Sequence, residues 1–213
     1  MNKIFKLPTI IIIFSVFLIS CIDNKKQINF ILKQGDLLFQ NTGNGEIDNA
    51  IKDVTATPSS KNYSHVGMAI QKDREWFILE SISKKGVCLT PLNEFLNRNK
   101  NKFNKSQTTV ARLESYYQPY ISKAIEYGID RINKPYDDIF LWDDDSYYCS
   151  ELLYKMFSTI DLPKDSIPFL THPMTFNNNL GEPMASWVSY YRKRNHKIPE
   201  GVEGTNRIQP KSF

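Results

Sequence analysis

The chain has 213 residues, 41% of them hydrophobic and 23% charged, with only 9 glycines and 11 prolines. That profile excludes a disordered or collagen-like chain and allows one good-sized domain with its own core. Twenty-seven basic residues against 23 acidic ones give a net charge of +4, and three cysteines are too few for a disulfide scaffold.

The first six residues carry Lys3 and Lys6 and no acid, and Leu7–Ile19 is an apolar run broken only by Pro8, Thr9 and Ser15. A bilayer-spanning helix takes about 20 residues. The shorter run with its positive start therefore reads as a secretory signal peptide over residues 1–20. Leu18-Ile19-Ser20-Cys21 resembles a bacterial lipobox. That resemblance implies that Cys21 becomes the N-terminus, carries lipid and anchors the protein in the cell envelope, facing the periplasm. Residues 21–33 then form a leader, and 34–213 a single domain. Lys3 and Lys6 leave with the signal peptide, so 25 basic residues face 23 acidic ones and the mature charge is +2.

The domain opens with a turn and a short strand at Gly35–Gln40. Ile47, Ile51 and Val54 have helical spacing and predict a short helix over Ile47–Val54. Ser64–Ile70 and Glu75–Ile82 read as a hairpin about a Gln71–Arg74 turn. Gly86-Val87-Cys88-Leu89 is strand-like, and Pro91 introduces a short helix over Leu92–Asn97. A basic loop at Asn99–Gln107 precedes a strand at Thr108–Leu113. The longest helix is expected over Tyr116–Asn133, a second over Cys149–Ile160 and a third over Met184–Arg194. Strands mixed with unlike helices indicate an α+β domain.

Cys149 falls in the first turn of its helix, behind the N-cap candidates Asp143, Asp144, Asp145 and Ser146. Backbone N–H groups and the helix dipole at that position favour thiolate, the reactive form of cysteine. A packed core cysteine is the alternative for any lone Cys, and it is the reading for Cys88. A nucleophile needs a base. His196 lies in a basic tail and reads as surface, and His172 lies in a loop without a recognisable partner. His65 sits inside an apolar strand. If Ile70 pairs with Glu75, His65 falls directly opposite Glu80, an acid in the apolar stretch Trp76–Glu80. A buried carboxylate needs a partner, so the two satisfy each other, either as a structural pair or as the base and its orienter.

Gly35-Asp36-Leu37-Leu38-Phe39, Ser64-His65-Val66-Gly67-Met68, Leu79-Glu80-Ser81 and Tyr147-Tyr148-Cys149-Ser150-Glu151-Leu152 together resemble the YiiX/YaeF-like permuted papain-like amidases, relatives of the NlpC-type cysteine peptidases. The order His, acid, Cys is that of the permuted group. The resemblance implies a circularly permuted papain-like fold, an antiparallel sheet or small barrel packed against helices. It implies Cys149 as nucleophile, His65 as base and Glu80 as orienter. It also implies a cleft wall at Asn133-Lys134-Pro135-Tyr136-Asp137, with Tyr63, Tyr136 and Tyr148 as candidate substrate contacts. The chemistry expected is hydrolysis of an amide in a cell-wall peptide or related amino-acid conjugate, with no cofactor.

Two other readings stay open. Lecithin retinol acyltransferase-like proteins share the permuted order and act on acyl lipids, and a binding module could keep the fold without turnover. Asp137, Asp138, Asp143, Asp144 and Asp145 lack the alternating ligand positions and glycine turn of a calcium loop, so they read as capping and solvated acids and no metal is expected. A mature charge of +2 gives nucleic acid little to bind.

Overall fold

The computed structural model describes residues 30–42, 48–49, 51, 63–163, 166–169, 172–173, 176–178, 180–199 and 203–204. The chain divides into one unit over Met1–Ile31 and another over Leu32–Phe213; the fold below is that of the second. The expected signal peptide and Cys21 lie outside the described residues. Of the helix expected over Ile47–Val54, Asp48, Asn49 and Ile51 are described, in helical conformation.

Five strands form one antiparallel sheet in the order β4-β3-β2-β1-β5. They are β1 (Leu37–Gln40), β2 (His65–Lys72), β3 (Glu75–Ile82), β4 (Gly86–Pro91) and β5 (Thr109–Ala111). Side chains alternate across a strand, and here both faces are apolar. Leu37, Phe39, Val66, Met68, Ile70, Leu79 and Val87 form one core with α2 (Ile121–Ile129) and α3 (Cys149–Ser158). Leu38, Ala69 and Ile78 form another with Phe95 of α1 (Leu92–Asn97). A third cluster is aromatic: Phe140, Tyr148, Phe176, Trp187, Tyr190 and Tyr191, the last three from α4 (Ala185–Lys193). Burying each such side chain contributes roughly 1.5–3 kcal/mol. A two-stranded sheet, β6 (His172–Pro173) with β7 (Glu203–Gly204), lies outside the main one.

Buried Asp36 pins the two strands at one edge. Arg112 donates to both its oxygens, Nε to Oδ1 at 2.7 Å and Nη2 to Oδ2 at 2.8 Å. Bidentate pairs of this kind fix geometry as well as charge.

Four expectations are corrected. The hairpin turn has two residues, Asp73 and Arg74, both with positive φ (52° and 67°), the backbone of the tight turns that match strand twist. Lys72 therefore pairs with Glu75 and Met68 with Leu79, a shift of two residues from the expected Ile70–Glu75 pairing. His65 is thus not directly opposite Glu80. The expected helix over Tyr116–Asn133 divides into a 3-10 turn at Ser115–Tyr120 and the shorter α2. Pro119 has no N–H to give an α-helical ladder. Cys88 is half-buried, not packed in the core: it stands opposite Glu80 on β4, its Sγ 3.8 Å from Thr90 Oγ1. Finally, none of Asp143–Ser146 is the N-cap of the Cys149 helix; Tyr148 is. The helix ends otherwise fall within two residues of expectation, α3 stopping at Ser158 and α4 spanning Ala185–Lys193.

Candidate active site

The two-residue register shift preserves the face of every side chain, because strand alternation has a period of two. His65 still reaches Glu80, now along the diagonal: Nε2 lies 2.6 Å from Glu80 Oε2. Gly67, on the same face of β2, makes room for this. A Cβ there would come within 3.1 Å of the Glu80 Cβ and would collide with Ile78.

Glu80 is 1% exposed and both its oxygens are engaged. Oε2 also accepts from Arg98 Nη1 at 2.9 Å. Oε1 lies 2.8 Å from Arg98 Nη2 and accepts the Thr90 hydroxyl. Burial alone would raise the carboxyl's pKa, but hydrogen bonds from His65, Arg98 and Thr90 and the imidazole's charge bring it down to about 2. For His65, 8% exposed, burial opposes the charged ring. Hydrogen bonding and charge from Cys149 and Glu80 outweigh burial and raise the pKa to about 9. Glu80 takes Nε2, which leaves Nδ1 for the Cys149 side.

Cys149 opens α3, which packs on β2 and β3. Its approach is fixed by backbone pairing. Tyr147 forms a parallel bridge with Tyr136; its N–H donates to Pro135 O at 3.1 Å and its carbonyl accepts Asp137 N–H at 3.2 Å. Ser81, the neighbour of Glu80, donates its hydroxyl to the same Tyr147 carbonyl at 2.5 Å. Adjacent β3 residues thus serve opposite faces, Glu80 the imidazole and Ser81 the segment that delivers the cysteine. At the helix start, Glu151 Oε2 accepts the Tyr148 N–H at 3.2 Å. Lys155 Nζ lies 2.9 Å from Glu151 Oε1 and 2.9 Å from Asp144 Oδ1. Asp143 spends its carboxylate on its own turn, accepting Asp145 N–H and Ser146 N–H at 3.0 and 3.2 Å.

Tyr136 is half-buried, and burial first and Cys149's charge next hold its phenol well above the usual range. Tyr148 is buried among Phe140 and Trp142. Tyr63 packs on Phe39 and donates its hydroxyl to Thr109 Oγ1 at 2.7 Å. Asp137 accepts three successive N–H groups, from Ile139, Phe140 and Leu141, at 2.9, 2.7 and 2.6 Å. That carboxylate supports left-handed backbone at Phe140 (φ 56°) and Trp142 (φ 58°), conformations that cost on the order of 1–3 kcal/mol each. His196 is exposed; His172 lies on β6, and its side chain is not among those described.

Sequence reasoning missed Arg98, Thr90 and Lys155. For Thr90 the signal is present: Val87 and Leu89 alternate with Cys88 and Thr90, which puts Thr90 on the face of Glu80. Arg98 and Lys155 carry no such signal, since their partners come from other elements or from a helix turn buried by tertiary packing.

A family model described as "Permuted papain-like amidase enzyme, YaeF/YiiX, C92 family" matches residues 31–213. The chain is 29% identical over 124 residues to an uncharacterized protein, YiiX, of Escherichia coli (strain K12). That match covers 58% of this chain and 56% of the relative, so the chain spans little more than half the relative's length. Its fold is similar to the crystal structure of a protein described as the metalloprotein yiiX from Escherichia coli O157:H7. The TM-score is 0.61 at 24% identity, over 84% of this chain and 90% of that one.

Proposed function

The chain belongs to the permuted papain-like amidase family of YaeF and YiiX, and we propose that it is a cysteine hydrolase in which Cys149, His65 and Glu80 act together on an amide bond. The observation that carries this reading is one buried imidazole held by Glu80 at 2.6 Å on Nε2 and raised in pKa by hydrogen bonding and charge from Cys149 as well as Glu80. The proton of Cys149 passes to His65, and the sulfur attacks the substrate carbonyl. His65 returns the proton to the leaving amine, and water then hydrolyses the acyl-enzyme with His65 as base. Glu80 keeps the ring oriented and stabilises its charged form. The first-turn N–H groups of α3 are the donors for the developing oxyanion.

The substrate class we propose is a peptide or amino-acid conjugate of the cell wall, reached by an enzyme anchored through lipidated Cys21 in the envelope. This part rests on the N-terminal sequence. The metal implied by the description of the structural relative does not fit this chain's donors. Among the described residues no group of three or more His, Cys, Asp or Glu side chains is placed to hold a metal ion, and His65 Nε2 is committed to Glu80.

Turnover of muropeptides and of phospholipids by the purified full chain, measured side by side, tests the reading. Amide cleavage that Cys149→Ala and His65→Ala both abolish is the expected result. Acyl-lipid cleavage with the same two dependences would transfer the site to acyl-lipid chemistry. Full activity in either variant would overturn the site itself.

A further inference from the structure

We propose that Arg98 is the positioning residue of the site: its guanidinium fork fixes the Glu80 carboxylate in the orientation that presents Oε2 to His65, and through it governs the readiness of Cys149. This rests on the Cys149–His65–Glu80 reading above and adds a residue to it.

Arg98 is the C-cap of α1, on the sheet face where His65 and Glu80 meet. Nη1 donates to Glu80 Oε2 at 2.9 Å, and Nη2 lies 2.8 Å from Oε1. Nη2 also donates to Thr90 Oγ1 at 3.1 Å, and the Thr90 hydroxyl in turn donates to Oε1. The carboxylate is therefore gripped at both oxygens and cannot turn without breaking the fork. A lysine has one compact donor centre and cannot reach both oxygens and the Thr90 hydroxyl as the two arms of the guanidinium do. Phe95, three residues earlier, sits beneath the guanidinium at 5.5 Å and beside the imidazole at 6.0 Å. Residues at i and i+3 share a helix face, so one face of a six-residue helix supports both members of the His65–Glu80 pair.

Electrostatics give the fork a second task. A buried carboxylate against an imidazole competes with it for one proton. One hydrogen bond and a second close ionic contact from a permanent cation make Glu80 the weaker base, so the proton stays on His65. Charges then alternate outward from the cysteine: thiolate, imidazolium, carboxylate, guanidinium. Without Arg98, Glu80 is freer to rotate and to take up a proton, and the imidazolium loses its support. Glu94, 3.6 Å from Arg98 and half-exposed, is too solvated to replace any of this.

The experiment needs no substrate. The rate of Cys149 alkylation by iodoacetamide is followed against pH in the full chain by mass spectrometry of the Cys149 peptide, with melting recorded in parallel. Arg98→Met should move the rise of the rate to higher pH by about one unit, a loss of about tenfold at pH 6 to 7. Arg98→Lys should recover only part of this. Added to Glu80→Gln, Arg98→Met should produce no further shift. A profile for Arg98→Met that superimposes on the parent while melting alone falls would overturn the proposal, leaving Arg98 as a strut between α1 and the sheet. A full further shift on the Glu80→Gln background would also overturn it, because Arg98 would not then act through Glu80. If Arg98→Met does not fold, Arg98→Lys decides alone, since it keeps the charge and loses the fork: an unchanged profile overturns the proposal. A parent protein whose Cys149 alkylates with the same pH dependence folded as unfolded would instead remove the underlying Cys149–His65–Glu80 reading, and this proposal with it.

Discussion

Glu80 and Glu151 have the same side chain, the same near-complete burial (1% and 0% exposed) and a basic partner at comparable distance, yet they hold protons oppositely. Glu80 is drawn down to about 2, while burial raises Glu151 to about 8 against the pull of Lys155 and the Tyr148 N–H. The difference lies in how many donors each receives. Glu80 has His65, Thr90 and both arms of Arg98. Glu151 has one backbone N–H and a lysine shared with Asp144 and the Asp143 carbonyl. A nearby cation does not by itself keep a buried carboxylate ionised; saturation of its lone pairs does. The first environment suits a group that must stay negative beside an imidazolium, and the second suits a clasp on a helix start.

The contrast breaks first at turnover. Glu80→Gln should lower kcat/KM by about 100-fold or more, the range of a compromised acid–base group, whereas Glu151→Gln should stay within about tenfold. Equal losses would erase the distinction. Next in size is Gly67→Ala, whose methyl would press on Ile78 and the Glu80 Cβ. Overpacking of this kind costs about 1–3 kcal/mol, to be read as a lowered denaturation midpoint together with reduced activity. Lys155→Met should cost less, about 1 kcal/mol, because Glu151, raised to about 8, largely holds its proton at neutral pH and is not left as a bare buried charge; chemical denaturation would measure it.

The contrast also extends to the pH dependence of stability, and there the two glutamates differ in sign. His65 is raised from 6.5 to about 9, so its contribution is complete below 6.5 and fades as pH rises through 9. Glu80 is lowered from 4.5, so its contribution is complete above 4.5 and fades as pH falls through 2. Together they stabilise most between 4.5 and 6.5, and Glu80→Gln should flatten the decline from 6.5 to 9. Glu151 is raised, so it favours folding below 4.5 and progressively less up to about 8. Glu151→Gln should flatten that earlier decline. Melting curves at pH 4.5, 6.5 and 9 separate the two.

Much of this arrangement is legible in the chain itself. Strand alternation puts His65 and Glu80 on one face, and a register error of two residues leaves that intact where an error of one would not. The turn is shorter than the polar stretch suggests, because Gln71 and Lys72 are polar yet still belong to β2, as its exposed end. Pro119 is a visible signal that an α-helix cannot run unbroken through Tyr116–Asn133. The cap of α3 is harder to read: four candidate polar residues precede Cys149, but their side chains serve a turn and a lysine, and Glu151 reaches back instead. Arg98 lies beyond sequence reasoning for a plainer reason. Its role depends on where a short helix docks, which no local pattern encodes.

The Ser81–Tyr147 hydrogen bond has a consequence for the order in which the molecule assembles. His65 and Glu80 are 15 residues apart and belong to one hairpin, whereas Ser81 and Tyr147 are separated by 66. Short closures form early and long ones late, because loop entropy must be overcome before the distant contact rewards it. A refolding chain should therefore join His65 and Glu80 first and bring Cys149 to them last. On the proposed reading of the site, the Cys149 thiol would then gain its reactivity only when the whole domain is in place, so a half-folded chain would carry no armed nucleophile.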